Sequence, residues 1–348
     1  MQTHYDHKRL TDDIIGIKQA LGNELLILTH HYQRREIVDL GDHRGDSLSL
    51  ARRAARDENA RYIVFCGVHF MAESAAILAH GNQSVQIPDS LAGCWLADMA
   101  PGASVAAHWE SLEDIIGAET LMPVAYVNSH ADIKAFCGRH GGAACTSSNA
   151  ARVLAWAFGQ RERVFFFPDE HLGRNAAREL GLLETDICVW DPEQPLGGHT
   201  NETIQGAKLF LWKGHCPVHS QFTPEQIGGL RAHFPGARVV VHPECRSDVV
   251  AAADGVGSTS FIVRYVADAP LGSTLILGTE IHLIKRLALA HPDKTILSLA
   301  DAFCPNMDKI NLQNLLYTLE HLGQVNRVQV PGEIREDARR ALERMISL

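Results

Sequence analysis

Three short apolar segments recur along the chain, each followed by polar residues and then by a helical pattern. The apolar segments are residues 25–33, 123–128 and 238–245. Continuous runs of Val, Ile and Leu are typical of strands that are covered on both faces. The segments that come next carry charged residues near their start and fit first helical turns. They are residues 35–40, 131–136 and 247–252.

Two further elements follow each apolar segment in the same order. Small hydroxyl residues precede an apolar helical pattern in residues 45–51, 145–151 and 255–262. Another apolar strand then follows, in residues 62–66, 164–167 and 274–277. The same order of elements, three times over, predicts an internal threefold repeat.

A cysteine stands downstream of the third element in each repeat, at Cys94, Cys216 and Cys304. One cysteine per repeat suits an iron–sulfur cluster that is shared between domains, since thiolates hold such clusters. Inert core cysteines are the alternative, and zinc is another because His215 and His219 flank Cys216. From the spacing alone, these three interpretations stay open.

The remaining cysteines carry weaker signals. Cys66 and Cys188 lie in apolar segments and are expected in the core. Cys245 adjoins the polar residues at the end of its strand, where a reactive role is the alternative to burial.

The alternation of strands and helices predicts an α/β fold class: three similar three-layer α/β/α domains with parallel sheets in a pseudo-threefold arrangement. The predicted domains are residues 1–103 with Cys94, 104–222 with Cys216, and 223–310 with Cys304. Residues 311–348 are predicted to form closing helices, and residues 191–200 a loop. Below, the first, second and third repeats mean these three ranges.

Ligands of parallel sheets bind beyond the carboxyl ends of the strands. His30, Tyr32, Asn128, His242 and Glu244 fall there. Histidine, tyrosine and glutamate are candidate proton-transfer groups. Structural roles are the alternative, although His30 and His242 occupy the same place in different repeats.

Hydroxyl residues near predicted helix starts are a second polar feature. Ser47, Ser147 and Thr259 are predicted at helix N-termini, which bind anions through free N–H groups and the helix dipole. Plain helix capping is the alternative for each one alone. Three such places favour a phosphorylated or polycarboxylate ligand.

Composition limits the class of protein. The chain has 348 residues, 46% of them apolar, and a formal net charge of −9. The net negative charge argues against a general nucleic-acid or membrane-surface role. Without a signal peptide or disulfide framework, we expect a cytoplasmic protein.

An ordered set of short motifs resembles the quinolinate synthase family. The motifs are His30-His-Tyr-Gln33, Gly45-Asp-Ser-Leu48, Ala92-Gly-Cys-x-Leu-Ala-Asp98, Tyr126-Val-Asn128, Thr146-Ser-Ser-Asn149, Gly214-His-Cys-x-Val-His219, His242-Pro-Glu-Cys245, Gly257-Ser-Thr-Ser260 and Cys304-Pro-Asn-Met307. The resemblance implies three α/β domains around a [4Fe–4S] cluster. It also implies condensation of iminoaspartate with dihydroxyacetone phosphate to quinolinate, phosphate and water, in NAD biosynthesis. A protein partner implied by this chemistry is the enzyme that supplies iminoaspartate.

The resemblance assigns roles residue by residue. Its cluster ligands map onto Cys94, Cys216 and Cys304. Its substrate-binding positions map onto His30, Ser47, Tyr126, Val127, Asn128, Ser147, His242, Pro243, Glu244 and Thr259. The candidate catalytic residues are Tyr32, Glu244, His30 and His242. Trp95, where serine is common, and the length of the loop at residues 191–200 depart from the family pattern.

Two other functions fit parts of the pattern. One is a different Lewis-acid hydro-lyase with an iron–sulfur cluster or zinc, which needs no phosphate site. The other is a non-catalytic iron–sulfur sensor, for which we would expect an output module such as a basic helix-turn-helix. The sequence contains no such module.

Overall fold

The computed structural model describes residues 2–348, with only the backbone given for residues 2–6. The protein is α/β, with three parallel sheets, one in each repeat. The first repeat contains α1 (Gln2–Leu21), β1 (Leu25–His30), α2 (Arg35–Val38), β2 (His43–Gly45), α3 (Ser47–Arg56), β3 (Tyr62–Cys66), α4 (His69–Leu78), β4 (Ser84–Gln86), α5 (Trp95–Asp98) and the start of α6 (Gly102–Ile116).

The second and third repeats follow the same plan. The second contains β5 (Leu121–Tyr126), α7 (Ala131–Arg139), β6 (Ala143–Cys145), α8 (Ala150–Gln160), β7 (Arg163–Phe167), α9 (Glu170–Glu179), β8 (Ile187–Trp190), α10 (Asn201–Gly206) and β9 (Leu209–Trp212). The third contains α11 (Pro224–His233), β10 (Arg238–Val241), α12 (Ser247–Ala252), β11 (Gly255–Val256), α13 (Thr259–Asp268), β12 (Thr274–Gly278), α14 (Ile281–Ala290), β13 (Thr295–Ser298) and α15 (Pro305–Asp308). The chain ends with α16 (Leu312–Glu320) and α17 (Gly332–Ser347).

The strand order confirms that the three sheets are related. The orders are β2-β1-β3-β4, β6-β5-β7-β9-β8 and β11-β10-β12-β13. Strands β1, β5 and β10 therefore occupy the same place, each between a short edge strand and the next long strand. Every residue of β1 and β5 is buried, as expected for strands covered on both faces. The second sheet alone has an extra edge strand, β8, before the predicted loop.

Several predicted boundaries need correction. The apolar segment at residues 25–33 is a strand only as far as His30, because the polar residues after it form a turn. The edge strands β2, β6 and β11 were not predicted, since two or three residues are too few to show a periodicity. The loop at residues 191–200 contains a short 3₁₀ turn, Pro195–Gly198. The domain boundaries themselves stay a prediction.

The helix caps also differ from expectation. Asp46, not Ser47, caps α3, and its Oδ1 accepts the Ser49 N–H at 2.9 Å. Ser258, not Thr259, caps α13, because its hydroxyl faces the first free N–H groups. Ser147 lies three positions before α8 begins at Ala150. The three hydroxyl residues therefore lie beside the helix N-termini without capping them.

Helix α17 joins the first two repeats, as the predicted closing helix. From it, Arg344 donates to the carbonyl of Gly142 at 2.6 Å, and the carbonyl of Met345 accepts from Asn149 at 2.9 Å. The helix packs closely on α7 in the second repeat. No helix in residues 2–348 has the length and apolarity needed to cross a membrane.

Gly138→Ala is expected to lower stability, because a Cβ at Gly138 would meet the Asp337 carbonyl of α17 at 1.8 Å. The two helices must separate to admit the methyl group, so we expect a loss of about 1–3 kcal/mol in unfolding free energy. Gly159→Ala is the matched control, since no atom lies within 4 Å of its Cβ position on α8. Helix propensity predicts a gain of up to about 1 kcal/mol there. Denaturant midpoints of the two variants test this, and equal midpoints would contradict the close packing.

Candidate active site

A cavity lies where the carboxyl ends of the three sheets meet. His30 ends β1, Tyr126 ends β5, and His242 directly follows β10, and all three line the cavity. Parallel strands present polar residues at this edge, so equivalent positions of the repeats converge. The cavity walls thus come from all three repeats.

Most of the residues singled out in the sequence line this cavity. They are His30, Tyr32, Ser47, Cys94, Tyr126, Asn128, Ser147, Cys216, His242, Glu244, Thr259 and Cys304. Val127 and Pro243 do not line it. The Val127 N–H donates to the Cys145 carbonyl at 2.8 Å, and the Pro243 carbonyl accepts from Asn175 at 2.8 Å. Both residues contribute backbone structure beside the cavity instead.

A chain of polar contacts crosses the cavity between repeats. Tyr32 Oη lies 3.3 Å from His219 Nε2, and His219 Nδ1 lies 2.8 Å from Glu244 Oε2. The same Glu244 oxygen is 3.1 Å from His242 Nδ1, and His242 Nε2 is 3.2 Å from Ser147 Oγ. Side chains from all three repeats therefore form one route along which protons can move.

The protonation states along this route follow from burial and charge. Burial, with the nearby Glu244 carboxylate, raises the pKa of Tyr32 well above its ordinary value, so the phenol keeps its proton. Burial alone would raise the pKa of Glu244, but His219 and His242 outweigh it and the pKa is lowered. Burial lowers the pKa of His30 to about 4. At neutral pH the cavity therefore holds an anionic carboxylate, a neutral imidazole at His30 and a protonated phenol.

Two buried oxygens in the cavity lack a protein partner. Asn128 Oδ1 and Glu244 Oε1 have no hydrogen bond within the described residues. Buried polar atoms without partners are rare because each costs about 1–3 kcal/mol. Both residues line the cavity. These atoms are therefore available to a bound ligand.

The three cysteines from the repeats share a local geometry. Each is half-buried and lies just before a short helix or turn. Backbone N–H groups two or three positions downstream lower the pKa of each thiol, against the larger effect of burial. The donors are Leu96 and Ala97 for Cys94, His219 for Cys216, and Asn306 and Met307 for Cys304. Such N–H···S contacts stabilise thiolates and tune iron–sulfur clusters.

Without a nearby cation these three thiols stay protonated at neutral pH. Burial raises the pKa of the Cys94 thiol to about 12 and that of Cys304 to about 11, and the charge of each also raises the pKa of a neighbouring cysteine. A positively charged group must therefore accompany the deprotonated sulfurs. The other five cysteines are buried and do not line the cavity. The donor set fits a cluster held by three thiolates, with one iron left without a cysteine.

A mononuclear metal fits less well. Ligand atoms of Cys216, His219 and Glu244 lie within 4.8 Å of one another. However, both ring nitrogens of His219 already face protein groups, Tyr32 on one side and Glu244 on the other. The Nδ1 contact with Glu244 is close but lacks hydrogen-bond geometry. A metal held here would use only one of the three cysteines that line the cavity, so a shared cluster accounts for more of the donor set.

The structure adds residues that the sequence interpretation missed. His219 was noted as a neighbour of Cys216 and as part of a family motif, but it was given no role in the site. Thr279 was not noted at all, although its Oγ1 lies 2.7 Å from Tyr32 Oη. Glu280, Asn306 and Met307 also line the cavity. Thr279 and Glu280 directly follow β12, so the rule that found His242 after β10 would have found them too.

Comparisons with known proteins show the family of the chain. The sequence profile of the family described as "Quinolinate synthetase A protein" matches residues 12–347. A curated quinolinate synthase of Streptomyces coelicolor is 50% identical over 339 residues, covering 95% of this chain and 86% of that protein. That of Geobacillus kaustophilus is 49% identical, covering 96% and 92%, and that of Bacillus velezensis is 47% identical, covering 100% and 96%. The cavity, the three cysteines and these matches lead to one conclusion: the chain belongs to the quinolinate synthase family of enzymes.

Proposed function

We propose that this chain condenses iminoaspartate with dihydroxyacetone phosphate to give quinolinate, phosphate and water, as a step of NAD biosynthesis. The observation that carries the proposal is the placement of three cysteines, one from each repeat, on the same cavity as the Tyr32–His219–Glu244 route. Membership of the family supports the reaction. Eight free thiols fit a reducing cytoplasm.

Cys94, Cys216 and Cys304 would hold a [4Fe–4S] cluster between the three repeats. When bound, the cluster supplies a Lewis acid through the iron that lacks a cysteine. The pseudo-threefold arrangement would then bring one thiolate from each repeat to a common centre.

The substrates are anions, and the chain offers neutral donors to hold them. The N-termini of α3 and α13 lie beside Ser47 and Thr259 on the cavity wall. Their free N–H groups and helix dipoles favour carboxylate or phosphate oxygens. Ser147 adds a hydroxyl, and the side-chain amide of Asn128 adds N–H donors on the cavity wall. Orientation by these groups needs no charged side chain inside the cavity.

The polar side chains that cross the cavity, from Tyr32 through His219 to Glu244, carry out the proton transfers. The anionic Glu244 carboxylate accepts a proton from substrate or through His219, while Tyr32 donates its phenolic proton. Thr279 orients the phenol through the 2.7 Å contact. Loss of phosphate, imine formation and dehydration all require protons to move between neighbouring atoms, which a connected set of groups provides.

Anaerobic assay of the cluster-loaded protein tests the proposal. With both substrates, quinolinate and inorganic phosphate are expected in equal amounts. With dihydroxyacetone phosphate alone, no quinolinate is expected. Phosphate release without quinolinate, in the presence of iminoaspartate, would instead indicate a different hydro-lyase or a phosphatase.

A further inference from the structure

A second cavity lies behind the wall of the candidate active site. Its volume is about 860 Å³, and helices α3, α8 and α13 supply most of its lining. Asp46 and Ser147 line both this cavity, here called the vestibule, and the active-site cavity. The two cavities therefore share these two residues as part of their walls.

Arginines from all three repeats line the vestibule. Arg52, Arg152 and Arg264 each stand five positions after the hydroxyl residue that marks the repeat, Ser47, Ser147 or Thr259. Arg52 and Arg264 each stand six positions after the cap of their helix, whereas Arg152 stands three positions after Asn149, the residue before α8. Arg53 and Arg56, also on α3, add to the set.

Much of this positive charge is unpaired. Arg56, Arg152 and Arg264 are exposed, and no acidic side chain in the described part of the chain forms a salt bridge with them. Arg52 donates to the Ile346 carbonyl at 2.7 Å, whereas Arg53 pairs with Asp57. The chain as a whole has a net charge of −9, so a cluster of unpaired arginines is a local exception. Such a cluster favours the binding of an anionic ligand.

One acidic residue of the wall is tied to all three repeats. Asp46 Oδ2 accepts from Ser148 Oγ at 2.7 Å, and Ser260 of the third repeat also acts on the Asp46 carboxylate by lowering its pKa. Although burial would raise the pKa of Asp46, bonds from Ser49, Ser148 and Ser260 lower it. Besides Asp46, Glu179 is the other acidic residue lining the vestibule. The hydroxyls that hold Asp46 are groups that an arriving anion can bind in turn.

We propose that the vestibule captures the anionic substrates before they pass the Asp46–Ser148–Ser260 contact into the active site. The inference rests on the proposed function, since it takes the substrates to be a sugar phosphate and a dicarboxylate. Arginine guanidinium groups suit both, because they donate in pairs to phosphate and carboxylate oxygens. The arginines that line the vestibule raise the local concentration of anions beside the wall that it shares with the active site.

The test is the salt dependence of kcat/KM in the double variant Arg152→Ala/Arg264→Ala. At low ionic strength, kcat/KM for dihydroxyacetone phosphate is expected to fall about three- to tenfold, with the change in KM rather than in kcat. The difference from wild type should shrink at about 0.5 M salt, because added salt screens exposed charges. Both side chains are exposed, so folding should not be affected.

Two further variants sharpen the result. Arg161→Ala removes an exposed arginine next to the far end of α8, outside the vestibule, and should match wild type. Arg152→Lys/Arg264→Lys keeps the charge and should retain most of kcat/KM. A double alanine variant with wild-type kcat/KM at low salt would overturn the vestibule while leaving the proposed function intact. An inactive wild type would count against the proposed function first.

Discussion

Replacement of any one of Cys94, Cys216 or Cys304 by alanine is expected to abolish cluster loading and reduce quinolinate formation to background. In the proposed cluster each thiolate would be one of only three protein ligands, so its loss would leave at least two irons without a cysteine. The remaining thiols, whose pKa values burial raises, then return to the protonated form. Iron content should fall from about four per chain to well below one in each variant.

The matched controls are Cys66→Ala and Cys188→Ala. Cys66 lies fully buried in β3 and Cys188 in β8, and neither lines the cavity. Both variants should keep iron and activity, at a stability cost of roughly 1 kcal/mol for the small space left behind. Iron and sulfide analysis after anaerobic reconstitution, read beside visible absorbance, makes the comparison. Full iron content in any one of the first three variants would remove that cysteine from the ligand set.

Glu244→Gln is expected to lower kcat by about 10²–10⁴-fold while the protein folds and binds its cluster. The carboxylate is 97% buried and faces His219 and His242, so the isosteric amide fills the same space. An amide cannot take up a proton as a carboxylate can, and the route towards Tyr32 is therefore interrupted. The wild-type carboxylate is well suited to this role because its two histidine neighbours keep it anionic.

Steady-state quinolinate formation by preparations of equal iron content measures this effect. Glu170→Gln serves as the control, since Glu170 is a half-buried carboxylate at the start of α9 that does not line the cavity. It should retain wild-type kcat. If Glu244→Gln turns over near the wild-type rate with a full cluster, the residue positions substrate and another group moves the proton.

Local patterns predicted much of the architecture. The strand at residues 62–66 is β3 at the predicted bounds, and the helical turn at residues 247–252 is α12. These segments were predictable because strand and helix periodicities are properties of neighbouring residues. The caps of α3 and α13 were assigned one residue late, since Asp46 and Ser258 compete with the hydroxyl residues beside them for the same N–H groups.

The sequence by itself also determined which cysteines are equivalent. Repetition of four elements selected Cys94, Cys216 and Cys304, and the structure places all three on one cavity. The order of elements also placed His30 and His242 at similar positions, His30 as the last residue of β1 and His242 directly after β10. These inferences needed only the order of elements along the chain, because equivalent strands end at equivalent edges of their sheets.

Only the tertiary structure decided which side chains work together. Tyr32 reaches His219 across 187 positions and Thr279 across 247, with each partner supplied by a different repeat. The same holds for Asp46 and Ser148, which meet across 102 positions. No local pattern encodes such contacts, because they depend on how three separately formed sheets pack against one another. Packing of the repeats, rather than any single repeat, therefore creates the proton route and the wall of the vestibule.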